Sequence, residues 1–159
     1  ILQEVLSHYT VNNGRMEAFQ MGSNDVTLNL AKNPVGANMT LRVMNEMQGE
    51  KELLFVLNDN IADGLDVSWI WDINFSTFRN VTRVVTSGTR AYDIAVRIKC
   101  SGYDTSSIFV RPDLDDAVAE LNTTQGKKFV IANYTAVQPT RSALQRWIAH
   151  HGGAAHETN

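Results

Sequence analysis

Cysteine is nearly absent from this chain. The single cysteine, Cys100, cannot form an internal disulfide or a cysteine zinc site, a usage typical of the reducing cytosol, so a cytoplasmic location is expected. A basic excess is also absent, because 17 acidic residues outnumber 14 basic ones. Nucleic acid is therefore not an expected partner. No apolar run approaches the roughly 20 residues that a membrane span requires, so no span is predicted.

The sequence motifs of nucleotide binding and of serine hydrolysis are also missing. There is no G-x-x-x-x-G-K-[ST] phosphate loop, no G-x-G-x-x-G turn and no G-x-S-x-G nucleophile turn. A complete nucleophile, base and acid triad is not expected, because all the histidines fall in the terminal segments: His8, His150, His151 and His156. We interpret the adjacent pair as a solvated helix end, so no metal site is predicted.

What is present is an alternation of strand-like and helix-like patterns. Two alternating segments, 16–21 and 25–31, predict a hairpin joined at Gly22, Ser23 and Asn24. Further strands are predicted at 52–57, 81–86, 107–110 and 127–132. Helices are predicted from Pro34 to Gly49, at 89–100, from Pro112 onward and at 135–150, with a short helical piece at 69–78. This order predicts a three-layer, Rossmann-like α/β fold whose sheet is mostly parallel, with an antiparallel N-terminal edge hairpin.

The chain is expected to be one domain with two short extensions. Residues 1–12 are interpreted as a linker from a preceding domain, 13–150 as the α/β domain, and 151–159 as a disordered tail. The sequence begins at Ile1 without a methionine. We therefore expect it to be part of a longer protein.

The most informative stretch is LFVLNDNIADGLDVSWIWDINF, residues 54–75. Its apolar start is typical of a strand buried on both faces, and ligands in open α/β sheets bind at the carboxyl ends of such strands. Four aspartates follow: Asp59, Asp63, Asp66 and Asp72. The alternative is a solvated turn and a short helix capped by Asp66 or Ser68, with Trp69 and Trp71 as core anchors.

Two strand-to-helix turns and one strand end carry further candidates. Thr89 and Arg90 follow the predicted strand at 81–86, and Tyr134 follows the predicted strand at 127–132. Such turns contact an anion or a partner, or serve only as helix caps. Lys32, with Asn33 beside it, is either a polar edge residue or a ligand contact.

Several motifs resemble a known superfamily. GRMEAF at 14–19 and NLAKNPVGAN at 29–38 are similar to the C-terminal domain of Mur ligases and folylpolyglutamate synthase, where a G-R-x-E strand precedes a D-x-A-H-N-P loop or a lysine-containing equivalent. LNDNIADGLDVSWIWDINF, SGTRAYDIAVRIK and NYTAVQPTR are similar to one branch, the MurT family. The resemblance covers about residues 13–148. The pattern departs from the family at Ser76, where an acidic residue is expected, so Ser76 is given no role.

The resemblance implies a function in peptidoglycan synthesis. MurT-family proteins are ligase subunits of lipid II isoglutaminyl synthase, which pair with the glutaminase subunit GatD. The heterodimer amidates the D-glutamate α-carboxylate of lipid II at the membrane surface, consuming ATP and glutamine. ATP and Mg²⁺ would be bound mainly by a central domain that this chain lacks, as would the family's zinc. The isolated domain is accordingly expected to be inactive.

The resemblance also implies roles for particular residues. The glutaminase subunit has a Cys–His pair and is thought to receive an aspartate from its partner; Asp66 is the first choice and Asp63 the runner-up. We expect Asp66 to lie on an exposed lip with an ordinary pKa, supported by at least partly buried Trp69 and Trp71. Asp59 and Asp72 rank lower.

By the same resemblance, Lys32 and Asn33 would face ATP. A docking module without a catalytic group is the competing hypothesis. A domain of the folylpolyglutamate synthase type is the third, although it has no recognised counterpart of DVSWIWD.

Overall fold

The computed structural model describes residues 15–152. The predicted linker, residues 1–12, lies outside the described residues, as does the predicted tail from residue 153 onward. The last helix continues to His151, one residue further than predicted. Within the described part of the chain, no helix is both long enough and apolar enough to cross a membrane.

Strands and helices alternate as the sequence predicts. The strands are β1 (Glu17–Met21), β2 (Asn24–Leu30), β3 (Lys51–Val56), β4 (Val81–Ser87), β5 (Ile108–Val110) and β6 (Lys127–Ala132). The α-helices are α1 (Pro34–Glu46), α2 (Ala91–Cys100), α3 (Leu114–Leu121) and α4 (Tyr134–His151). Short 3-10 turns lie at Ile61–Asp63, Ser68–Asp72, Phe75–Thr77 and Thr105–Ser107.

The six strands of the described residues form one sheet in the order β1-β2-β6-β3-β4-β5. The β1–β2 hairpin is antiparallel, and every other neighbouring pair is parallel. The predicted fold class is therefore confirmed. Because the strands after β1 are parallel, the residues that follow β2, β3, β4 and β6 all emerge at one edge of the sheet, here called the carboxyl edge.

The two faces of the sheet carry separate apolar cores. Strand β3 is buried along its whole length, as its apolar run predicts. Leu53 and Phe55 pack toward the face covered by α1 and α2, whereas Leu54 and Val56 pack toward the face covered by α3 and α4. This alternation is the period of two expected for a strand, and it produces the three layers.

The predicted helical piece at 69–78 is instead two 3-10 turns, and only part of the tryptophan prediction holds. Trp69 is partly buried, but Trp71 is 53% exposed. Ile70 and Ile73 are buried instead, as is Phe75. With three residues per turn, residues three apart share a face, so the two isoleucines point into the core and Trp71 does not. Its ring lies 5.4 Å from the guanidinium carbon of Arg97.

Candidate functional site at the carboxyl edge

The chain diverges at the carboxyl edge between β3 and β6. After β3 it leads to the 3-10 turns that pack with α1 and α2, and after β6 it enters α4 on the opposite face. Neighbouring strands whose connections leave in opposite directions form the crevice where α/β proteins bind ligands. The loop that carries Asp59, Asp63, Asp66 and Asp72, here called the acidic loop, begins at this crevice.

An asparagine pair joins the two strand ends. The Asn133 side chain accepts a hydrogen bond from the Asn58 backbone N–H at 3.0 Å and donates one to the Asn58 carbonyl at 2.7 Å. Asn133 is buried. Its amide therefore extends the pairing of β6 with β3 by one residue, which holds the start of the acidic loop to the sheet.

Thr89 and Arg90 contact Asp59. The Thr89 hydroxyl donates to Asp59 Oδ1 at 2.7 Å, and Arg90 Nε donates to Asp59 Oδ2 at 2.8 Å. The hydrogen bond from Thr89, followed by those of Arg90, holds the pKa of Asp59 below its usual value. These bonds stay within the domain, and a contact of either residue with an anion or a partner remains a prediction.

Asp63 caps the last helix. Its Oδ1 accepts from the Thr135 backbone N–H at 2.8 Å, and its Oδ2 accepts from the Thr135 hydroxyl. A carboxylate at this position satisfies a free N–H of the first helical turn and interacts favourably with the helix dipole. Both oxygens of the runner-up aspartate are thus bonded within its own domain.

Asp66 has different surroundings. It is exposed, as predicted, and its Oδ1 accepts from the Ser68 backbone N–H at 2.8 Å. That bond, together with one to the Ser68 side chain, lowers the pKa of Asp66. The expectation of an ordinary pKa is therefore wrong, because the local turn stabilises the charged form. The carboxylate is ionised and open to solvent.

Exposed apolar residues flank this carboxylate along the chain. Ile61 is 92% exposed and Leu65 69% exposed, and Trp71 adds its exposed ring further along the loop. Asp72 is exposed as well. Sequence reasoning missed Ile61 and Leu65. The available signal was two isolated apolar residues in a polar loop with no periodic apolar partner.

The two residues expected on the ATP side lie after β2. Asn33 caps α1 by accepting from the Gly36 N–H at 2.9 Å, and Lys32 beside it is exposed. Together with Arg15 they line a pocket of about 310 Å³ at the N-terminus of that helix. The positive charges of Lys32 and Arg15 and the N-terminus of the helix are of the kind that binds phosphate groups. Within residues 15–152, no cluster of three or more His, Cys, Asp or Glu side chains is arranged to hold a metal.

Solved structures with a similar fold define the class. A folylpolyglutamate synthase from Thermotoga maritima superposes with a TM-score of 0.63 at 18% identity, covering 85% of this chain and 31% of that one. The UDP-N-acetylmuramate-alanine ligase MurC from the same organism gives 0.58 at 10% identity, covering 82% and 27%. The fold is that of the C-terminal domain of Mur ligases and folylpolyglutamate synthases.

Sequence similarity then identifies the family. The family model described as MurT ligase C-terminal matches residues 30–137, and the chain belongs to this family. The lipid II isoglutaminyl synthase (glutamine-hydrolyzing) subunit MurT of Staphylococcus aureus strain COL is 37% identical over 140 residues, 87% of this chain and 32% of the relative. The subunit of the same name from Streptococcus pneumoniae strain R6 is 34% identical over 134 residues, 82% of this chain and 30% of the relative. The chain spans about a third of the length of these relatives.

Proposed function

We propose that this chain is the C-terminal domain of the ligase subunit of a glutamine-dependent lipid II isoglutaminyl synthase. The complete enzyme would amidate the D-glutamate α-carboxylate of lipid II to D-isoglutamine, consuming ATP in the cytoplasm. The names of its relatives support this reaction. The isolated domain would be inactive, because it has neither a phosphate loop nor a triad of its own.

Within that enzyme, Asp66 would complete the Cys–His pair of a GatD-like glutaminase subunit. The observation that carries this proposal is an ionised, exposed carboxylate between exposed Leu65 and exposed Trp71. A triad acid orients the imidazole and stabilises its charged form, which requires a carboxylate that the histidine can reach. The exposed apolar side chains would be covered by the partner subunit, since such residues are typical of interaction surfaces.

The ATP side would use Lys32 and Asn33. The side-chain oxygen of Asn33 (Oδ1) already caps α1. The N–H groups of the same side-chain amide and the Lys32 ammonium are therefore the groups that would face the phosphates. The remainder of the full-length protein would bind most of the ATP and Mg²⁺. A lysine here would stabilise negative charge as an acyl phosphate forms.

The test is glutamine hydrolysis by the reconstituted complex carrying Asp66→Asn. We expect kcat to fall by about 10²-fold or more, while the affinity between the subunits stays within a few-fold, because the substitution removes the charge and keeps the shape. Asp63→Asn is expected to have a smaller effect. Asp25→Asn is the control, since Asp25 is an exposed carboxylate on β2, away from the loop.

A docking module without a catalytic group is the second candidate. The exposed Ile61, Leu65 and Trp71 favour it, because they suit binding whether or not Asp66 acts in catalysis. Unchanged glutamine hydrolysis by the Asp66→Asn complex would support docking alone.

A further inference from the structure

One threonine hydroxyl connects the acidic loop to the last helix. Thr135 Oγ1 donates to Asp63 Oδ2 and accepts from Asn60 Nδ2 at 2.8 Å and from Asn58 Nδ2 at 3.4 Å. A hydroxyl has one donor and two acceptor positions, so all three are used here. The Thr135 backbone N–H adds a fourth bond, to Asp63 Oδ1.

These bonds join parts of the chain that are distant in sequence. Thr135 follows β6, and Asn58 to Asp63 follow β3, 72 to 77 residues earlier. The segment is thus attached to a helix of 18 residues whose inner face is packed in the core. Thr135 is itself half-buried, which limits competition from water for its hydroxyl.

The attachment ends just before Asp66. Only Gly64 and Leu65 separate Asp63 from Asp66. On the far side, Asp66 accepts from Ser68, after which Ile70 enters the core. The exposed Asp66 carboxylate therefore lies on a short segment that is attached to the domain on both sides, at Asp63 and at Ile70.

We propose that Thr135, acting through Asp63 and Asn60, is a positioning residue that sets the location of the Asp66 carboxylate. This inference rests on the proposed function of Asp66. It gives the start of α4 and the runner-up aspartate a role without either touching substrate. A carboxylate on a loop without these bonds would be in the required geometry with the partner's histidine only part of the time. A displacement of about 1 Å is enough to lower a catalytic rate strongly.

The test uses the full-length ligase subunit assembled with its glutaminase partner. Thr135→Val keeps the shape and the backbone N–H but removes the hydroxyl, and we expect the kcat for glutamine hydrolysis to fall by roughly tenfold. The KM for glutamine and the affinity between subunits should stay within about twofold. Thr135→Ser restores the hydroxyl and should restore kcat. Thr105→Val is the control, because Thr105 is exposed and lies just before β5, at the amino ends of the parallel strands.

A double variant separates positioning from a general structural role. If Thr135 acts through Asp66, adding Thr135→Val to Asp66→Asn should lower kcat no further. Losses that multiply in the double variant would overturn the inference, as would equal losses for Thr135→Val and Thr135→Ser.

The two proposals fail in different ways. Full activity of Thr135→Val beside an inactive Asp66→Asn complex would overturn the positioning role and leave the donated acid in place. Full activity of Asp66→Asn would overturn both.

Discussion

Two aspartates three residues apart differ in what their oxygens contact. Asp63 uses both oxygens on the first turn of α4, whereas Asp66 bonds only to nearby Ser68 among the described residues and remains exposed. The bonds to Thr135 hold the Asp63 carboxylate against its own helix at a partly buried position, so an imidazole of another subunit reaches it less easily than the exposed Asp66. The geometry therefore favours Asp66 as the group available to a partner.

Lys32 is the residue for which a separate effect on the two half-reactions is expected. Lys32→Ala in the full-length protein should slow ATP-dependent amidation by about tenfold, because an exposed ammonium near phosphate stabilises the developing charge. Glutamine hydrolysis should stay within about twofold. Both rates are measured on the reconstituted complex, hydrolysis as glutamate released and amidation as amidated lipid product.

The control for Lys32 is Lys99→Ala, which removes an exposed lysine near the end of α2. An amidation rate equal to that of the control would remove Lys32 from the ATP side. A parallel loss of glutamine hydrolysis would instead indicate a general defect in the complex.

At the scale of elements, the segment from β3 to β4 is shaped by side chains of the helices beside it. Arg97 on α2 donates to the carbonyls of Ile70 and Ile73, at 3.2 and 2.5 Å. Asn38 on α1 donates to the Asp72 carbonyl and accepts from the Asn74 N–H. These bonds satisfy backbone groups that a regular α-helix would have paired internally, which allows a connection made of 3-10 turns.

The turn from β4 into α2 depends on a glycine. Gly88 has φ +90°, and a Cβ there would lie 2.5 Å from the Leu57 carbonyl oxygen and 2.7 Å from Asn58 Oδ1. Gly88→Ala is expected to lower the free energy of unfolding by about 2 to 4 kcal/mol, because strain in φ and a backbone clash add. Denaturant titration of the chain measures the change.

Gly102→Ala is the matched control for the turn. Gly102 also has φ +90°, but no atom of residues 15–152 would lie within 4 Å of a Cβ at this position. Only the cost of the left-handed backbone remains, about 1 to 2 kcal/mol. Equal losses for the two variants would show that the close approach of Gly88 to Leu57 and Asn58 does not contribute.

At the scale of the whole molecule, charged side chains connect the sheet to α3 near the amino ends of the strands. Lys128 on β6 is fully buried, with Nζ 2.9 Å from Glu52 Oε2 on β3 and 2.8 Å from Thr124 Oγ1. Burial lowers the pKa of Lys128, although Glu52 opposes the shift. Arg83 lies 3.7 Å from Glu52 and also pairs with Glu120 of α3.

Removing one member of the buried pair should be costly. Lys128→Met leaves the Glu52 carboxylate buried, with the Thr124 hydroxyl and the more distant Arg83 as its remaining partners, so we expect a loss of about 3 kcal/mol in the free energy of unfolding. Adding Glu52→Gln should recover about 1 kcal/mol or more, because no unpaired charge then remains. Thermal or denaturant unfolding checks both values.

Lys127→Met is the control for the buried pair, since the neighbouring Lys127 is only partly buried and donates to the Gln48 carbonyl. Its expected cost is below about 1 kcal/mol. A double variant less stable than Lys128→Met alone would contradict the unpaired-charge explanation.

Local sequence patterns were sufficient for the main architecture. The predicted strand at 127–132 matches β6 in full, and Pro34 begins α1 as expected. The apolar run of β3 correctly indicated burial on both faces. These features depend on the period of side chains along a few residues and on the restricted backbone of proline, so they are visible in sequence. The family resemblance likewise depended on short contiguous motifs.

The hydrogen-bond partners and the exposure of side chains in the loop after β3 were decided only by the tertiary structure. The capping of α4 by Asp63 and the connections of Thr135 require β3 and β6 to lie side by side, although more than 70 residues separate the bonded groups. The exposure of Trp71 depends on 3-10 geometry that α1 and α2 stabilise from outside the segment. Hydrogen bonds and burial of this kind depend on which strands become neighbours in the sheet, and no local pattern of residues encodes which strands those are.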